Sequence, residues 1–135
     1  MRFIVLEPGM EPYRKHTDDA GYDLKSRINV NVFPGKTEKI PAGVIAEIPR
    51  NYAGLIRARS SSTLKGLDIH GTIDSGYRGE VYLLTNNLTD SPIEIKAGER
   101  IAQLVVVPCL VEPIETVDEL PESQRGISGF GSTGR

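Results

Sequence analysis

Asp74 and Tyr77 stand three residues apart in Gly71-Thr72-Ile73-Asp74-Ser75-Gly76-Tyr77-Arg78-Gly79-Glu80, just before the strand-like run Val81-Tyr82-Leu83-Leu84. Asp-Ser-Gly in that setting reads as a tight hairpin turn. Such a turn would hold a carboxylate base and a ring rigidly against one small molecule, beside exposed backbone groups. Taken alone, the plainer reading is a surface hairpin in which Asp74 satisfies turn amides. The rest of the chain shifts that balance.

The C-terminal segment Arg125-Gly126-Ile127-Ser128-Gly129-Phe130-Gly131-Ser132-Thr133-Gly134-Arg135 places one large aromatic among glycines and hydroxyls. Glycines let backbone N–H groups approach phosphate oxygens, and Ser132 and Thr133 add donors. Arg125 and Arg135 are charge-assisted partners for phosphate, and Phe130 offers a π-face for a nucleobase. A third candidate is Ala58-Arg59-Ser60-Ser61-Ser62-Thr63. At the start of a short helix it would combine free N–H groups, hydroxyls and an arginine into an anion site. An ordinary helix cap with a neighbouring arginine explains this segment equally well.

Asp23, in Ala20-Gly21-Tyr22-Asp23-Leu24, is either a water-facing strand residue or a carboxylate that orders a hydrated Mg²⁺ without gripping it directly. Gln103 interrupts the apolar run of Gly98-Glu99-Arg100-Ile101-Ala102-Gln103-Leu104, either as the exposed alternate of a strand or as a donor aimed into a cleft. His16 and His70 are too isolated for a zinc site, and nothing orders a Ser/His/Asp triad. Cys109, the only cysteine, excludes an internal disulfide and, within an apolar run, is expected to be buried and inert.

These groups need a scaffold, and 135 residues suffice for one domain with a real core. Hydrophobic residues at 39% and charged residues at 25% are ordinary for a globular protein. A net charge of −2 gives no bulk attraction to nucleic acid or membranes, though Arg57, Arg59 and Lys65 could neutralise a small polyanion. The apolar stretch from Ile101 to Val111 is too short to span a bilayer, and the N-terminus lacks a secretory pattern. An intracellular, cytoplasmic setting is expected, or a host cell if the chain is viral.

Fourteen glycines and nine prolines punctuate short aliphatic and β-branched runs. Expected strands are Phe3–Leu6, Gly21–Lys25, Ile28–Phe33, Lys39–Ile40, Gly43–Ile48, Ala53–Ala58, Val81–Asn86, Ile93–Ile95 and Arg100–Pro108. One helical turn is expected at Ser60–Leu64, with a serine capping its start. The pattern predicts an all-β barrel or jelly-roll-like domain over residues 1–122 and a mobile Gly-rich C-terminal arm over 123–135.

In order, Ala20–Leu24, Arg59–Ser61, Gly71–Val81, Gly98–Val105 and Arg125–Gly134 resemble the five motifs of the trimeric dUTPase family (dUTP diphosphatases). The resemblance implies a β-rich, jelly-roll-like (β-clip) subunit, a homotrimer with interfacial sites, and Mg²⁺-dependent hydrolysis of dUTP to dUMP and pyrophosphate. That reaction limits uracil incorporation into DNA and supplies dUMP for dTMP synthesis. By the same resemblance Asp74 would be the general base activating the attacking water. Tyr77 would pack under the deoxyribose, and Asp23 would anchor waters of Mg²⁺. Arg59, Ser60, Ser61 and Gln103 would contact the phosphates. Phe130 would cover the uracil, while Arg125, Gly131, Ser132 and Thr133 close over the γ-phosphate. The backbone of the hairpin around 67–73, including Gly71 and Ile73, would read the uracil edge.

Two departures from the family pattern stand out. The span from Arg59 to Asp74 is short, and Asp68 occupies the place where many bacterial members carry a uracil-contacting asparagine. A carboxylate cannot donate to O4, which leaves base reading to backbone or to a neighbour such as His70. Ala58 replaces a common proline, with a looser turn as the expected result. A related fold, that of the dCTP deaminases, carries its catalytic glutamate at the position of Leu84, and leucine cannot shuttle protons. The remaining alternative is a nucleotide-sensing protein without turnover.

Overall fold

Short β-branched and aliphatic runs form ten strands in the computed structural model, which describes residues 1–124, 126 and 127. The strands are β1 Arg2–Val5, β2 Gly21–Lys25, β3 Val30–Val32, β4 Thr37–Pro41, β5 Val44–Glu47, β6 Tyr52–Ala58, β7 Leu67–Ile73, β8 Tyr82–Asn87, β9 Ile93–Ile95 and β10 Arg100–Pro108. A single helical turn, α1 Ser60–Leu64, links β6 to β7. An antiparallel six-stranded sheet runs β2-β10-β6-β7-β8-β4, and the pairs β1-β5 and β3-β9 complete a jelly-roll-like, all-β body. No helix among the described residues is long and apolar enough to cross a membrane.

Period-two alternation sets the inward face. Leu67, Ile69 and Ile73 of β7 are buried while Asp68, His70 and Thr72 are exposed. Leu83, Thr85 and Asn87 do the same on β8. With Leu24, Ile56 and Leu104, the apolar residues Leu67, Ile69, Ile73 and Leu83 fill one continuous core. Asn87 is buried yet satisfied: its Nδ2 donates to the Val32 and Ser91 carbonyls, each at 2.8 Å, and its Oδ1 accepts from the Thr89 amide at 2.8 Å. That network ties β8 to the β3-β9 corner, as buried polar groups require.

Four sequence expectations are corrected by the structure. Leu67–Ile73 forms a full strand, β7, absent from the expected set. The connection from β7 to β8 is eight residues long, 74–81, and no tight hairpin; a β-turn does survive inside it, where the Tyr77 amide donates to the Asp74 carbonyl at 3.0 Å. The residue capping α1 is Arg59, whose carbonyl takes the Ser62 and Thr63 amides, and no side chain caps the turn. Cys109 is exposed, because it follows the last residue of β10 and leaves the sheet behind; its amide is held by the Asn51 carbonyl at 2.8 Å, and its thiol donates to the Leu110 carbonyl at 3.7 Å. Asn51 itself takes φ +66°, a left-handed turn conformation that asparagine tolerates.

Gly54 lies where β6 crosses the core. A Cβ there would stand 2.8 Å from both Ile48 Cδ1 and Leu104 Cδ1. Gly54→Ala is therefore expected to overpack the core by about 1–3 kcal/mol, lowering Tm by roughly 5–10 °C. A melt at fixed protein concentration checks this, and an unshifted Tm would show that the sheet opens without strain.

Candidate active site

Sheet register assembles a polar row from distant segments. Asp23 on β2 lies opposite Gln103 on β10, Gln103 opposite Arg57 on β6, and Arg57 opposite His70 on β7. Opposed residues share a face, so the row stands on the outer side of the sheet. A bulge in the β10-β2 pairing between Arg100 and Ala102 inserts one extra residue. Without it, Arg100 and Gln103, an odd number of positions apart, would point to opposite faces; with it, both face Asp23.

Asp23 is held between two guanidinium groups. Its Oδ1 lies 3.1 Å from Arg59 Nε and its Oδ2 lies 3.3 Å from Arg100 Nη1, with the Asp23 side chain only 18% exposed. Arg59 Nη1 also donates to the Arg100 carbonyl at 3.1 Å, and the Arg100 guanidinium stacks 4.6 Å from the Tyr13 ring centre. Tyr13 and Asp23 exchange both backbone hydrogen bonds, at 3.0 and 2.7 Å. Asp23, Arg59, Ser60, Ser61 and Gln103 line one cleft of about 350 Å³. It is continuous, through Asp23, Arg59 and Gln103, with a space of about 590 Å³ under the loop that carries Tyr13, Lys15 and His16. The helical turn bearing the serines is pinned by Lys65 Nζ to Glu99 Oε1 at 2.8 Å. Burial of Glu99 works against its charge, but Lys65 and the Lys96 amide outweigh it and hold the carboxyl below the ordinary range.

Arg100 and Tyr13 were not among the sequence candidates. The only sequence signal for Arg100 is its place in the same motif as Gln103; Tyr13 enters through a bridge no local pattern announces. Gln103 depends on Gly21: a Cβ at position 21 would collide with the Gln103 Oε1 and stand 3.0 Å from Gln103 Cβ. The glycine is what lets the amide lie across β2 toward the cleft.

A second cleft, of about 220 Å³, opens where β7 and β8 part. Their pairing stops at His70 opposite Leu84, while Gly71, Thr72 and Ile73 continue to pair only with β6. Residues 71–74, Tyr77, Glu80, Tyr82 and Leu84 line it, so Asp74, Tyr77, Gly71 and Ile73 come together there. Asp68 and His70 lie outside this lining. Asp68 instead takes Asn86 Nδ2 at 3.3 Å and faces His70 Nδ1 at 3.3 Å on the outer sheet surface. Arg125, Phe130, Gly131, Ser132 and Thr133 lie outside the described residues.

The two clefts share no lining residue. Ile73 is two strands away from β10 and, through Gly54, level with Val106, three residues beyond Gln103. Strand rise and spacing put Ile73 on the order of 14 Å from Gln103. One cleft offers a carboxylate and a ring, the other guanidinium groups, hydroxyls and an amide. Among the described residues no group of three or more His, Cys, Asp or Glu could hold a metal ion. A single carboxylate beside anion-binding groups suits a hydrated Mg²⁺ that arrives on a polyphosphate, since Mg²⁺ keeps most of its waters.

An all-β domain with a carboxylate-and-tyrosine cleft and a separate arginine-serine cleft carries the side chains that an enzyme for a phosphorylated small molecule needs. The dUTPase family model matches residues 8–134. The chain is 42% identical to the deoxyuridine 5'-triphosphate nucleotidohydrolase of Picosynechococcus sp., over 99% of this chain and 98% of that protein. It is 40% identical to the enzyme of the same name from Clostridium tetani, over 98% and 94%. A structure of the Staphylococcus bacteriophage 80alpha dUTPase with dUpNHpp superposes with a TM-score of 0.91 at 32% identity, covering 99% of this chain and 98% of that one. The chain belongs to the dUTPase family.

Gly21→Ala is expected to displace Gln103 and weaken binding of an α,β-imido dUTP analogue by roughly tenfold, the worth of one or two hydrogen bonds. Titration calorimetry checks this, and unchanged affinity would remove Gln103 from the phosphate site.

Proposed function

We propose that this chain hydrolyses dUTP to dUMP and pyrophosphate, with the nucleoside in the Asp74–Tyr77 cleft and the triphosphate in the Asp23–Arg59 cleft. Family membership carries the substrate, and the coexistence of the two clefts carries the division of labour. Asp74 accepts a proton from water as the water oxygen attacks the α-phosphorus, and the α–β bridging oxygen leaves with pyrophosphate. Tyr77 forms the platform under the sugar. Backbone at 71–73 faces the base, since Asp68 and His70 point elsewhere. Arg59, Ser60, Ser61 and Gln103 bind and orient the phosphate chain, and Asp23 is the carboxylate that would hold the waters of a hydrated Mg²⁺. Mg²⁺, when bound with the substrate, neutralises charge along the triphosphate. Arg125, Phe130, Gly131, Ser132 and Thr133 are proposed to close over the nucleotide and exclude water.

Leu84 lines the nucleoside cleft, so the position a deaminase would use carries no proton-transfer group. Hydrolysis is the reading this wall favours over deamination.

We further propose a homotrimer in which the phosphate cleft of one copy faces the nucleoside cleft of another. A general base must come within hydrogen-bond reach of the water it activates, and within one chain the two clefts stand apart. Leu110, Ile114 and Leu120 are each more than four-fifths exposed in a segment without regular structure, apolar area that a neighbouring copy would cover.

Asp74→Asn is expected to retain nucleotide binding while kcat falls by roughly 10²-fold or more, and EDTA is expected to abolish pyrophosphate release by the unmodified chain. Near-normal turnover in that variant would refute the base assignment; metal-independent turnover would refute the Mg²⁺ role. Mixing Asp74→Asn chains with Arg59→Ala chains after unfolding and refolding together should restore roughly a quarter of wild-type activity. That is the statistical share of sites drawing both intact halves from different copies. No recovery from the mixture would place each complete site within one chain.

A further inference from the structure

The space of about 590 Å³ under the 13–20 loop holds more positive charge than the proposed reaction uses. Its lining carries two more cations than carboxylates, Arg14, Lys15, Arg59 and Arg100 against Asp19 and Asp23, in a chain whose net charge is −2. Three of these cations are already committed. Arg59 and Arg100 bracket Asp23. The Arg14 guanidinium lies 5.2 Å from the Tyr22 ring centre, donates to the Tyr22 hydroxyl at 3.4 Å and also donates to the Thr17 carbonyl. Lys15 is the cation left over. It is exposed, and among the described residues no carboxylate lies within ion-pair distance of its ammonium.

The backbone that carries Lys15 is held on both sides of it. Before it, Tyr13 and Asp23 exchange hydrogen bonds at 3.0 and 2.7 Å. After it, the His16 amide donates to Asp19 Oδ2 at 2.9 Å, and the Asp19 amide donates to the His16 carbonyl at 3.3 Å. An ammonium on a held loop loses less freedom when it meets a ligand. The groove has two chemically different ends. Lys15 lines the loop end, Ser60 and Ser61 line the other, and Asp23, Arg59 and Gln103 are common to both. Neutral hydroxyls suit an inner phosphate with a single charge. A terminal phosphate carries a second ionisation near neutral pH, and the uncommitted cation matches that extra charge.

We propose that Lys15 binds the terminal phosphate of the triphosphate, and so sets the preference for a nucleoside triphosphate over the diphosphate. The inference rests on reading the Asp23–Arg59 cleft as the triphosphate site. The contact lies at the far end of the leaving pyrophosphate from the α-phosphorus. It therefore acts on binding of the intact chain and not on the attack of water. Lys15 is exposed, and the bonds that hold its loop come from Tyr13, Arg14, His16 and Asp19, so removing its side chain leaves the loop in place.

The test measures Kd for α,β-imido dUTP and for dUDP by calorimetry with Mg²⁺, without turnover, on the full chain and on Lys15→Ala, Lys15→Arg and Lys36→Ala. Wild type is expected to prefer the triphosphate, and Lys15→Ala to reduce that preference by roughly fivefold to tenfold, mainly through weaker triphosphate binding. Lys15→Arg keeps the charge and is expected to stay within about twofold of wild type. Lys36, exposed in the turn before β4, gives the same change in net charge away from the cleft, so Lys36→Ala should leave the ratio unmoved. Added salt should shrink the wild-type ratio more than that of Lys15→Ala. Equal weakening of both ligands by Lys15→Ala, an unmoved ratio, or an equal effect of Lys36→Ala would overturn the proposal. So would equal binding of both ligands by wild type. Hydrolysis of dUTP is scored separately. Its absence alongside a Lys15-dependent ratio would defeat the proposed reaction and leave the Lys15 contact standing, and hydrolysis with an unmoved ratio would do the reverse.

Discussion

Strand β10 pairs along both edges, with β2 on one side and β6 on the other, and the polar cleft follows from that double pairing. A strand held on both edges cannot slip by one residue without turning its buried side chains to solvent. Ile101, Ala102 and Leu104 are buried, so the register is locked by the core. Gln103 is then obliged to face outward, opposite Asp23. The bulge beside Arg100 adds the one residue needed to bring the arginine to the same side. Core packing thus places three polar groups that themselves add little to the core.

Charge supplies the second constraint. The chain as a whole is slightly acidic, with a net charge of −2, but Asp23 is bracketed by Arg59 and Arg100 in a half-shielded position. Taking a carboxylate part way out of water demands paired donors, and both arginines meet that demand while presenting positive potential to the cleft. The arrangement is pre-paired: phosphates and a hydrated cation would find their partners already oriented by one another. The Tyr13 ring and its backbone bridge to Asp23 brace the same cluster from outside the sheet. The Asp74–Tyr77 cleft has a different origin. It exists because β7 and β8 separate after His70 and Leu84, leaving a wedge whose walls are backbone on one strand and Tyr82 and Leu84 on the other.

Much of this was legible in the residues. Each of the nine runs expected as strands overlaps a strand in the structure, and the helical turn expected at Ser60–Leu64 has those bounds. The strand overlooked was β7, although Leu67-Asp68-Ile69-His70 alternates cleanly, because Gly71 and the nearby turn residues drew the whole segment into a hairpin reading. Asp68 stands where many bacterial members of the family carry a uracil-contacting asparagine, and alternation along β7 turns its side chain to Asn86 and His70, away from the cleft. The apolar neighbours of Cys109 point it to the interior, but β10 ends one residue earlier and the thiol is exposed.

Residue types and short spacings, by themselves, determined the all-β class, the β-turn from Asp74 to Tyr77 and the helical turn at Ser60–Leu64. Those features depend on backbone preferences and hydrogen bonds a few residues long, which the local sequence encodes. Tertiary structure alone decided that Arg100 meets Asp23 across 77 positions, that Gln103 lies over Gly21, and that the Asp74–Tyr77 and Asp23–Arg59 clefts stand apart. Such contacts depend on register and on a bulge, and both are set by how the buried faces of several strands pack together at once, a condition that no single segment contains.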